Sequence, residues 1–148
     1  MSDIIFNVAL GTINKRIADG ATFRMLLLKG VASDAILRDI GTIADLLAEP
    51  STVEADFTNY ARQTLGGLVG DTDNAADRIT ASSNSIVFAN AGGALNNTVL
   101  KAVIFDFITN DAGSIPLTAH DVNFTTNGNS ITLTQPAGRF YSSVETAA

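Results

Sequence analysis

The single histidine of this 148-residue chain, His120, is followed directly by Asp121, and this pair is the most obvious place to look for chemistry. An imidazole next to a carboxylate acts as the base of a hydrolytic triad when a serine nucleophile lies within hydrogen-bond reach. The chain contains no G-x-S-x-G sequence, which exposes the nucleophilic serine in many hydrolases. A histidine that ends a strand and forms local hydrogen bonds accounts for the same two residues. We therefore expect no catalytic residue here, and a protein that is not an enzyme.

Three aspartates, Asp71, Asp73 and Asp77, alternate with other polar residues in a way that faintly resembles a calcium-binding loop. Calcium requires about six to eight oxygen ligands, which these carboxylates would supply only in part. The central glycine and the closing glutamate of an EF-hand loop are missing from their places. An Asx-turn, or an ion pair between Asp77 and Arg78, explains the pattern as well. The sequence predicts no bound metal and no cofactor, and it leaves open whether this loop binds an ion.

Composition excludes several further classes of site. The chain has no cysteine, so disulfides and Cys-ligated zinc are excluded. The glycine pairs at 66–67 and 92–93 precede neither a Lys-Ser/Thr pair nor a helix, which indicates turns rather than a phosphate-binding loop. The net charge is −6, and the longest basic run is Lys15-Arg16, so we expect no nucleic-acid partner.

Targeting signals are also missing from the sequence. Asp3 precedes the first apolar run and no basic segment comes before it, which does not fit a signal peptide. No apolar run approaches the length of about 20 residues that a membrane span needs. We expect a soluble protein, made in a cytoplasm, with no membrane partner.

One amphipathic helix is predicted at about residues 42–49. Thr42 is suited to cap it, Asp45 lies in the first turn, and Pro50 ends it. Ser33 offers a cap for a shorter turn that reaches Ile40. Apolar residues at helical spacing run through both segments: Ile36, Leu37, Ile40, Ile43, Leu46 and Leu47.

The remainder of the chain has the pattern of about eight to ten short strands. Residues 98–108 are apolar on both faces, so this strand should lie in the centre of a sheet. Asn127-Gly128 predicts a type I′ turn and therefore a hairpin between residues 122–126 and 130–134, whereas residues 70–74 have the composition of a loop. The predicted fold is mainly β, a β-sandwich or jelly-roll-like body with one short helix and an N-terminal strand or arm.

The N-terminal segment is predicted to stand apart from this body. Residues 4–10 are apolar enough for a strand, and residues 12–18 suit a second strand or an extended arm. They pair as a hairpin, add a strand to a neighbouring molecule, or form an edge strand of their own sheet; the sequence does not choose among these. We divide the chain into an arm at 1–20 and a single β-rich domain at 21–148.

Only 16% of the residues are charged and 46% are hydrophobic, which suggests that a partner covers part of the surface of so small a protein. The N-terminal segment is the predicted contact. It combines apolar residues with the densest positive charge of an acidic chain. The predicted partner-contact residues are Ile4, Ile5, Phe6, Val8, Lys15 and Arg16.

Several segments, in order, resemble a family of small tailed-phage virion proteins. They are the Leu-rich segment 24–30, Leu37-Arg38-Asp39 with the helix at 42–48, the segment Thr58-Asn59-Tyr60-Ala61-Arg62-Gln63-Thr64-Leu65, the acidic turn at 71–78, and Pro116-Leu117-Thr118-Ala119-His120-Asp121. The similarity covers roughly residues 23–141 and implies a virion component.

Within that class, we expect a capsid cement or decoration protein. Such a protein would bind the outer head shell, bridge subunits of the major capsid protein and associate with itself as a trimer or dimer. An alternative is a structural protein of the tail, connector or fibre. A glycan- or receptor-binding module is a weaker alternative, because the chain has no tryptophan and only two tyrosines for stacking on sugars.

Overall fold

The computed structural model describes residues 3–10, 12–73, 78–134 and 140–144. This part of the chain is mainly β, which confirms the predicted class. The helices are α1 (Ile13–Ala18), α2 (Asp34–Arg38) and α3 (Ile43–Ala48), and a 3-10 turn covers Asn7–Ala9. The strands are β1 (Ile4–Ile5), β2 (Phe23–Gly30), β3 (Val53–Glu54), β4 (Gln63–Thr64), β5 (Val69–Asp73), β6 (Arg78–Ser82), β7 (Ile86–Phe88), β8 (Thr98–Asp106), β9 (Ile115–Thr125), β10 (Ile131–Leu133) and β11 (Tyr141–Val144).

A large antiparallel sheet forms the middle of the molecule, with strand order β1-β9-β8-β2-β3 and with β4 also paired to β2. β8 lies at its centre, between β2 and β9, as its two apolar faces predict. Two smaller antiparallel sheets, β10-β7 and β11-β6-β5, complete the described strands.

The two faces of the large sheet are buried in two separate apolar clusters. One cluster lies against α2 and α3 and includes Leu26, Leu28, Leu37, Ile43, Leu46, Val103 and Phe105. The other lies against the smaller sheets and includes Phe23, Met25, Leu27, Ile86, Phe88, Ala102, Ile104 and Phe140. Because β2 and β8 supply alternate residues to both clusters, these strands belong to the best-protected part of the fold.

The predicted helix is confirmed, as is the predicted cap. The Asp45 backbone N–H donates to Thr42 Oγ1 at 3.1 Å, and the Ile36 N–H donates to Ser33 Oγ at 3.4 Å. The first two amides of α3 donate to the carbonyls of Ser114 and Asp111, each at 3.0 Å. The start of α3 is therefore attached to the loop that joins β8 to β9.

The prediction of a strand or extended arm at residues 12–18 is wrong, because this segment forms α1. The strand predicted at residues 4–10 is reduced to β1, which pairs with β9 through Ile4–Ala119 and Ile5–Thr118 as an edge strand. Phe6 and Ile13 are completely buried, one in each apolar cluster. Residues 1–20, as far as they are described, thus pack as part of the body and not as a separate arm.

The prediction of a hairpin across Asn127-Gly128 is also wrong. β10 pairs with β7, in the register Ile131–Phe88, and β9 pairs with β8 and β1. Only Gly128 has a positive φ, at 96°, whereas a type I′ turn needs positive φ at both central residues. The Gly128 N–H donates to the Ala91 carbonyl at 2.7 Å, so the turn is anchored on the loop that follows β7, the strand with which β10 pairs.

Two smaller predictions fail because pairing partners override local composition. Residues 70–73 belong to β5, which pairs with β6, although glycine and aspartate favour a loop. Regular alternation along a strand would place Val99 on the same face as Lys101 and Val103. It lies instead in the cluster of Ala102 and Ile104, because the register of β8 on β9 shifts between Val99 and Lys101.

Candidate functional site

Arg62 lies at the centre of a polar network on the helix-covered side of the molecule. Its Nε and Nη2 donate to the two carboxylate oxygens of Glu54 at 2.7 and 2.8 Å. Its Nη1 and Nη2 donate to the carboxylate oxygens of Asp111 at 2.7 and 3.2 Å. One guanidinium therefore holds two carboxylates, each through two hydrogen bonds, which is the arrangement that its planar shape favours.

Tyr60 extends the same network into the large sheet. Its hydroxyl donates to Glu54 Oε2 at 2.6 Å and accepts from the Leu27 backbone N–H at 3.2 Å. Leu27 lies on β2 between the residues that pair with β3 and those that pair with β4, so the hydroxyl occupies a gap along this edge. The Tyr60 hydroxyl thus has both of its hydrogen-bond partners within the chain, and Arg62 is paired with the same Glu54 carboxylate.

These contacts shift the pKa values of Arg62, Tyr60 and Asp111. The hydrogen bonds that Arg62 donates to Glu54 and Asp111 raise the pKa of Arg62. Burial, with the adjacent Glu54 carboxylate, raises the pKa of Tyr60. The hydrogen bond from Arg62 lowers the pKa of Asp111. These shifts keep Arg62 and Asp111 charged and Tyr60 neutral near neutral pH, which suits a network that holds segments together.

A second ionic cluster surrounds Lys101, whose side chain is completely buried. Its Nζ lies 2.6 Å from Asp121 Oδ1 and 3.4 Å from Asp34 Oδ1. Lys101 and Asp121 face each other across β8 and β9, and Asp34 begins α2. The ammonium group therefore connects the large sheet to the helical layer, and Asp121 is engaged with a lysine and not with the neighbouring histidine.

His120 lies between a carboxylate and a hydroxyl, but these belong to Asp3 and Thr118. The distances are 3.1 Å from His120 Nδ1 to Asp3 Oδ2 and 2.9 Å from Nε2 to Thr118 Oγ1. Thr118 is only 1% exposed, so its hydroxyl is closed to a substrate. The order of groups is that of a hydrolytic triad, yet the position of the nucleophile is inaccessible, and the contacts are those of a packed side chain.

Asp3 and Asp111 were not predicted from the sequence. Asp3 contacts a residue 117 positions away, and Asp111 contacts one 49 positions away. Neither aspartate lies in a motif that indicates a partner, so only the folded chain reveals these contacts.

Next to His120, an apolar cavity of about 100 Å³ lies between the large sheet and the neighbouring strands. Its walls come from β2, β7, β8 and β10 with Val122, Thr134 and Phe140, and its mouth is bordered by Asp3, His120 and Asp121. Protein interiors are close-packed and contain few voids larger than a water molecule. A cavity of this size with charged groups at its mouth therefore has the properties of a small-molecule binding site.

The predicted partner-contact residues divide into buried and exposed ones. Ile4 and Phe6 are buried in the apolar cluster beneath α2 and α3, and Ile5 is half-buried, so these side chains mainly serve the fold. Arg16 Nη1 contacts Asp106 Oδ2 at 3.0 Å, and Lys15, which is largely exposed, contacts Asp19 at 2.7 Å. Val8 is exposed at 39%.

Val8 belongs to a group of exposed apolar side chains on two adjoining segments. Leu10 follows the same 3-10 turn and is 56% exposed, and Ile36 on α2 is 48% exposed. Asn7 Nδ2 donates to Asp39 Oδ1 at 2.7 Å, which attaches the turn to the end of α2. We call Val8, Leu10 and Ile36 the N-terminal apolar surface.

The predicted acidic loop is only partly described. Asp71 and Asp73 lie in β5, and Asp77 lies outside the described residues. Within the described ranges, no group of three or more histidine or acidic side chains is arranged to hold a metal ion. None of the helices described is long and apolar enough to cross a membrane.

Comparison of this chain with protein-family models, with curated proteins and with solved structures finds no match. The resemblance to small virion proteins therefore stays a prediction from the sequence.

Proposed function

We propose that this protein is a structural component of a bacteriophage virion, and specifically a cement or decoration protein of the capsid. In this role it binds the outer head shell and bridges subunits of the major capsid protein. The observation that carries the proposal is the N-terminal apolar surface, where three large apolar side chains are exposed on adjoining segments. Grouped apolar residues with polar surroundings are characteristic of protein interaction sites.

The internal ion pairing supports a binding role over a catalytic one. Arg62, Lys101 and Arg16 each contact aspartate or glutamate side chains within the chain. These contacts pair cationic side chains with carboxylates inside the chain, and they fix the body on which the apolar surface lies. A rigid body that contributes modest affinity per copy gains strength when many copies act on one shell.

The proposal is tested first by cryo-EM of the virion of the phage that encodes this protein. Density for this fold on the outer head surface, with residues 8–10 and α2 turned toward the major capsid protein, is the expected result. Density confined to the neck, tail or fibres would replace the capsid role with the tail or connector alternative.

The contact surface is tested by substitution. The double variant Leu10→Asp, Ile36→Asp places two charges on the apolar surface and should weaken binding to heads that lack the protein by more than about tenfold. Val87→Asp is the matched control, because Val87 has the same 48% exposure as Ile36 but lies on β7. Equal binding by both variants would contradict the proposed surface.

A further inference from the structure

The cavity beside Asp3 is lined mainly by apolar side chains, and Thr134 is the polar residue among its walls. The apolar wall residues are Met25, Ile86, Ala102, Ile104, Val122, Leu133 and Phe140. Apolar cavities stay free of water and accept apolar guests, and one of about 150 Å³ holds benzene with its six carbons. In proportion, the cavity of about 100 Å³ has room for an aliphatic group of about four carbons.

The mouth of the cavity is negatively charged. Asp3 and Asp121 both border it, and Asp121 is held by the buried Lys101 Nζ at 2.6 Å, whereas no lysine or arginine within the described residues forms an ion pair with Asp3. The Asp3 side chain is half exposed, so a ligand can approach it from solvent.

Asp3 is also held in a defined position. Its Oδ1 accepts from the Asp121 backbone N–H at 2.7 Å, and its Oδ2 contacts His120 Nδ1 at 3.1 Å. A carboxylate has about four acceptor positions, so both oxygens keep capacity for a further donor. A pre-positioned acceptor at the edge of an apolar cavity binds a ligand without losing side-chain freedom at that moment.

We propose that this cavity is a binding site for a short-chain aliphatic amine, with about four carbons inside the cavity and the ammonium group hydrogen-bonded to Asp3. A few polar groups at the rim of an apolar pocket are the usual design of a small-molecule site. The apolar walls supply affinity and the carboxylate selects the cation. This site goes beyond the proposed function and does not depend on it, since none of its residues belongs to the N-terminal apolar surface.

The test uses isobutylamine as the probe, and isobutanol as its neutral counterpart, in NMR titrations at neutral pH that follow the side-chain methyl signals. The methyl signals of Met25, Ile86 and Ile104 should shift and saturate, while those of Leu10 should not move. The amine should bind at least about tenfold more tightly than the alcohol, the factor expected for one charged hydrogen bond. Signals that do not saturate, or equal affinity for both probes, would overturn the proposal.

Two variants test separately what the mouth and the walls of the cavity contribute to binding. Asp3→Asn should reduce the preference for the amine to about one while leaving the affinity for isobutanol unchanged. Ala102→Val adds two methyl groups at the cavity wall and should weaken binding of both probes by more than about tenfold.

The cavity-filling variants are also examined by thermal unfolding. Ala102→Val should leave the melting temperature unchanged or raise it, because the added methyl groups fill empty space. Leu133→Phe fills the same cavity from β10 and replaces Ala102→Val in the binding test if Ala102→Val does not fold. Val87→Thr, next to the wall residue Ile86 but outside the cavity, should bind both probes like the wild type. Retained binding in both cavity-filling variants would overturn the site.

Discussion

The Arg62 network and the Asp3–His120 cluster join distant segments through similar groups, yet they differ in what lies behind them. Behind the Arg62 network is packed apolar structure, since the guanidinium carbon lies 5.6 Å from the centre of the buried Phe105 ring. Beside the Asp3–His120 cluster is a cavity. Polar groups that satisfy one another over a filled core stabilise the fold, whereas polar groups at the edge of a void are available to a ligand.

The packing beneath the Arg62 network accounts for the largest expected effect. Phe105→Ala removes a completely buried ring in the centre of the large sheet and should lower the free energy of unfolding by about 3–5 kcal/mol. Urea unfolding measures the change. Val87→Ala, at an exposed position, should change stability by less than about 0.5 kcal/mol and serves as the control. Equal midpoints for Phe105→Ala and the wild type would show that this packing does not support the fold.

Arg62→Ala should be the next most destabilising change, by about 2–4 kcal/mol, because it leaves Glu54 and Asp111 without their cation. Arg62→Lys keeps the charge but not the paired donors, and should recover only part of the loss. Lys15→Ala removes the exposed i,i+4 ion pair between Lys15 and Asp19 at the end of α1, and should lower the free energy of unfolding by about 0.5 kcal/mol or less. If Arg62→Ala and Lys15→Ala gave similar unfolding curves, the Arg62 network would stabilise the fold no more than the exposed Lys15–Asp19 pair does.

Tyr60→Phe tests the hydroxyl that connects the network to β2, and should cost about 1–2 kcal/mol. Its effect depends on pH. The folded-state pKa of Tyr60 is raised, so above about pH 10 the unfolded chain loses this proton while the folded chain keeps it. Wild-type stability should therefore fall as the pH rises above about 10, and the fall should be shallower in Tyr60→Phe. Parallel curves of stability against pH would exclude a buried hydroxyl.

Asp3→Asn should have a smaller effect on stability, about 0.5–1 kcal/mol, because the side chain is half exposed and the amide still accepts one hydrogen bond. Thermal unfolding without ligand measures it. If Asp3→Asn destabilised the protein as much as Arg62→Ala, the Asp3–His120 cluster would be a second structural network and the contrast between the two regions would disappear.

The smallest expected effect is a change in acid sensitivity. The pKa of Asp111 is lowered in the folded state, so its pairing with Arg62 contributes stability above the unfolded-state pKa and is lost as the pH falls below about 4. Asp111→Asn should therefore lose less stability between about pH 4 and pH 2 than the wild type does. Chemical unfolding at several acid pH values gives both slopes, and identical slopes would contradict the assigned pairing.

The N-terminal segment illustrates which predictions from sequence succeed. Ile4 and Phe6 were predicted to contact a partner because they are apolar, and in the folded chain they are buried in the core. Apolar patterning gives the tendency to be buried, and it does not say whether the same chain or another one covers the side chain. Lys15 and Arg16 were grouped as one positive site, yet α1 directs Arg16 toward Asp106 and leaves Lys15 exposed.

By itself, the sequence determined the features that depend on neighbouring residues: the mainly β class, the central strand at β8, and α3 with its Thr42 cap. Only the tertiary structure decided the partners. β10 pairs with β7 and not with β9, Tyr60 bonds to the β2 edge, and Asp3 meets His120 from the other end of the chain. Periodicity and capping are local properties of a chain, whereas strand pairing, ion-pair partners and cavities depend on how distant segments fill space together.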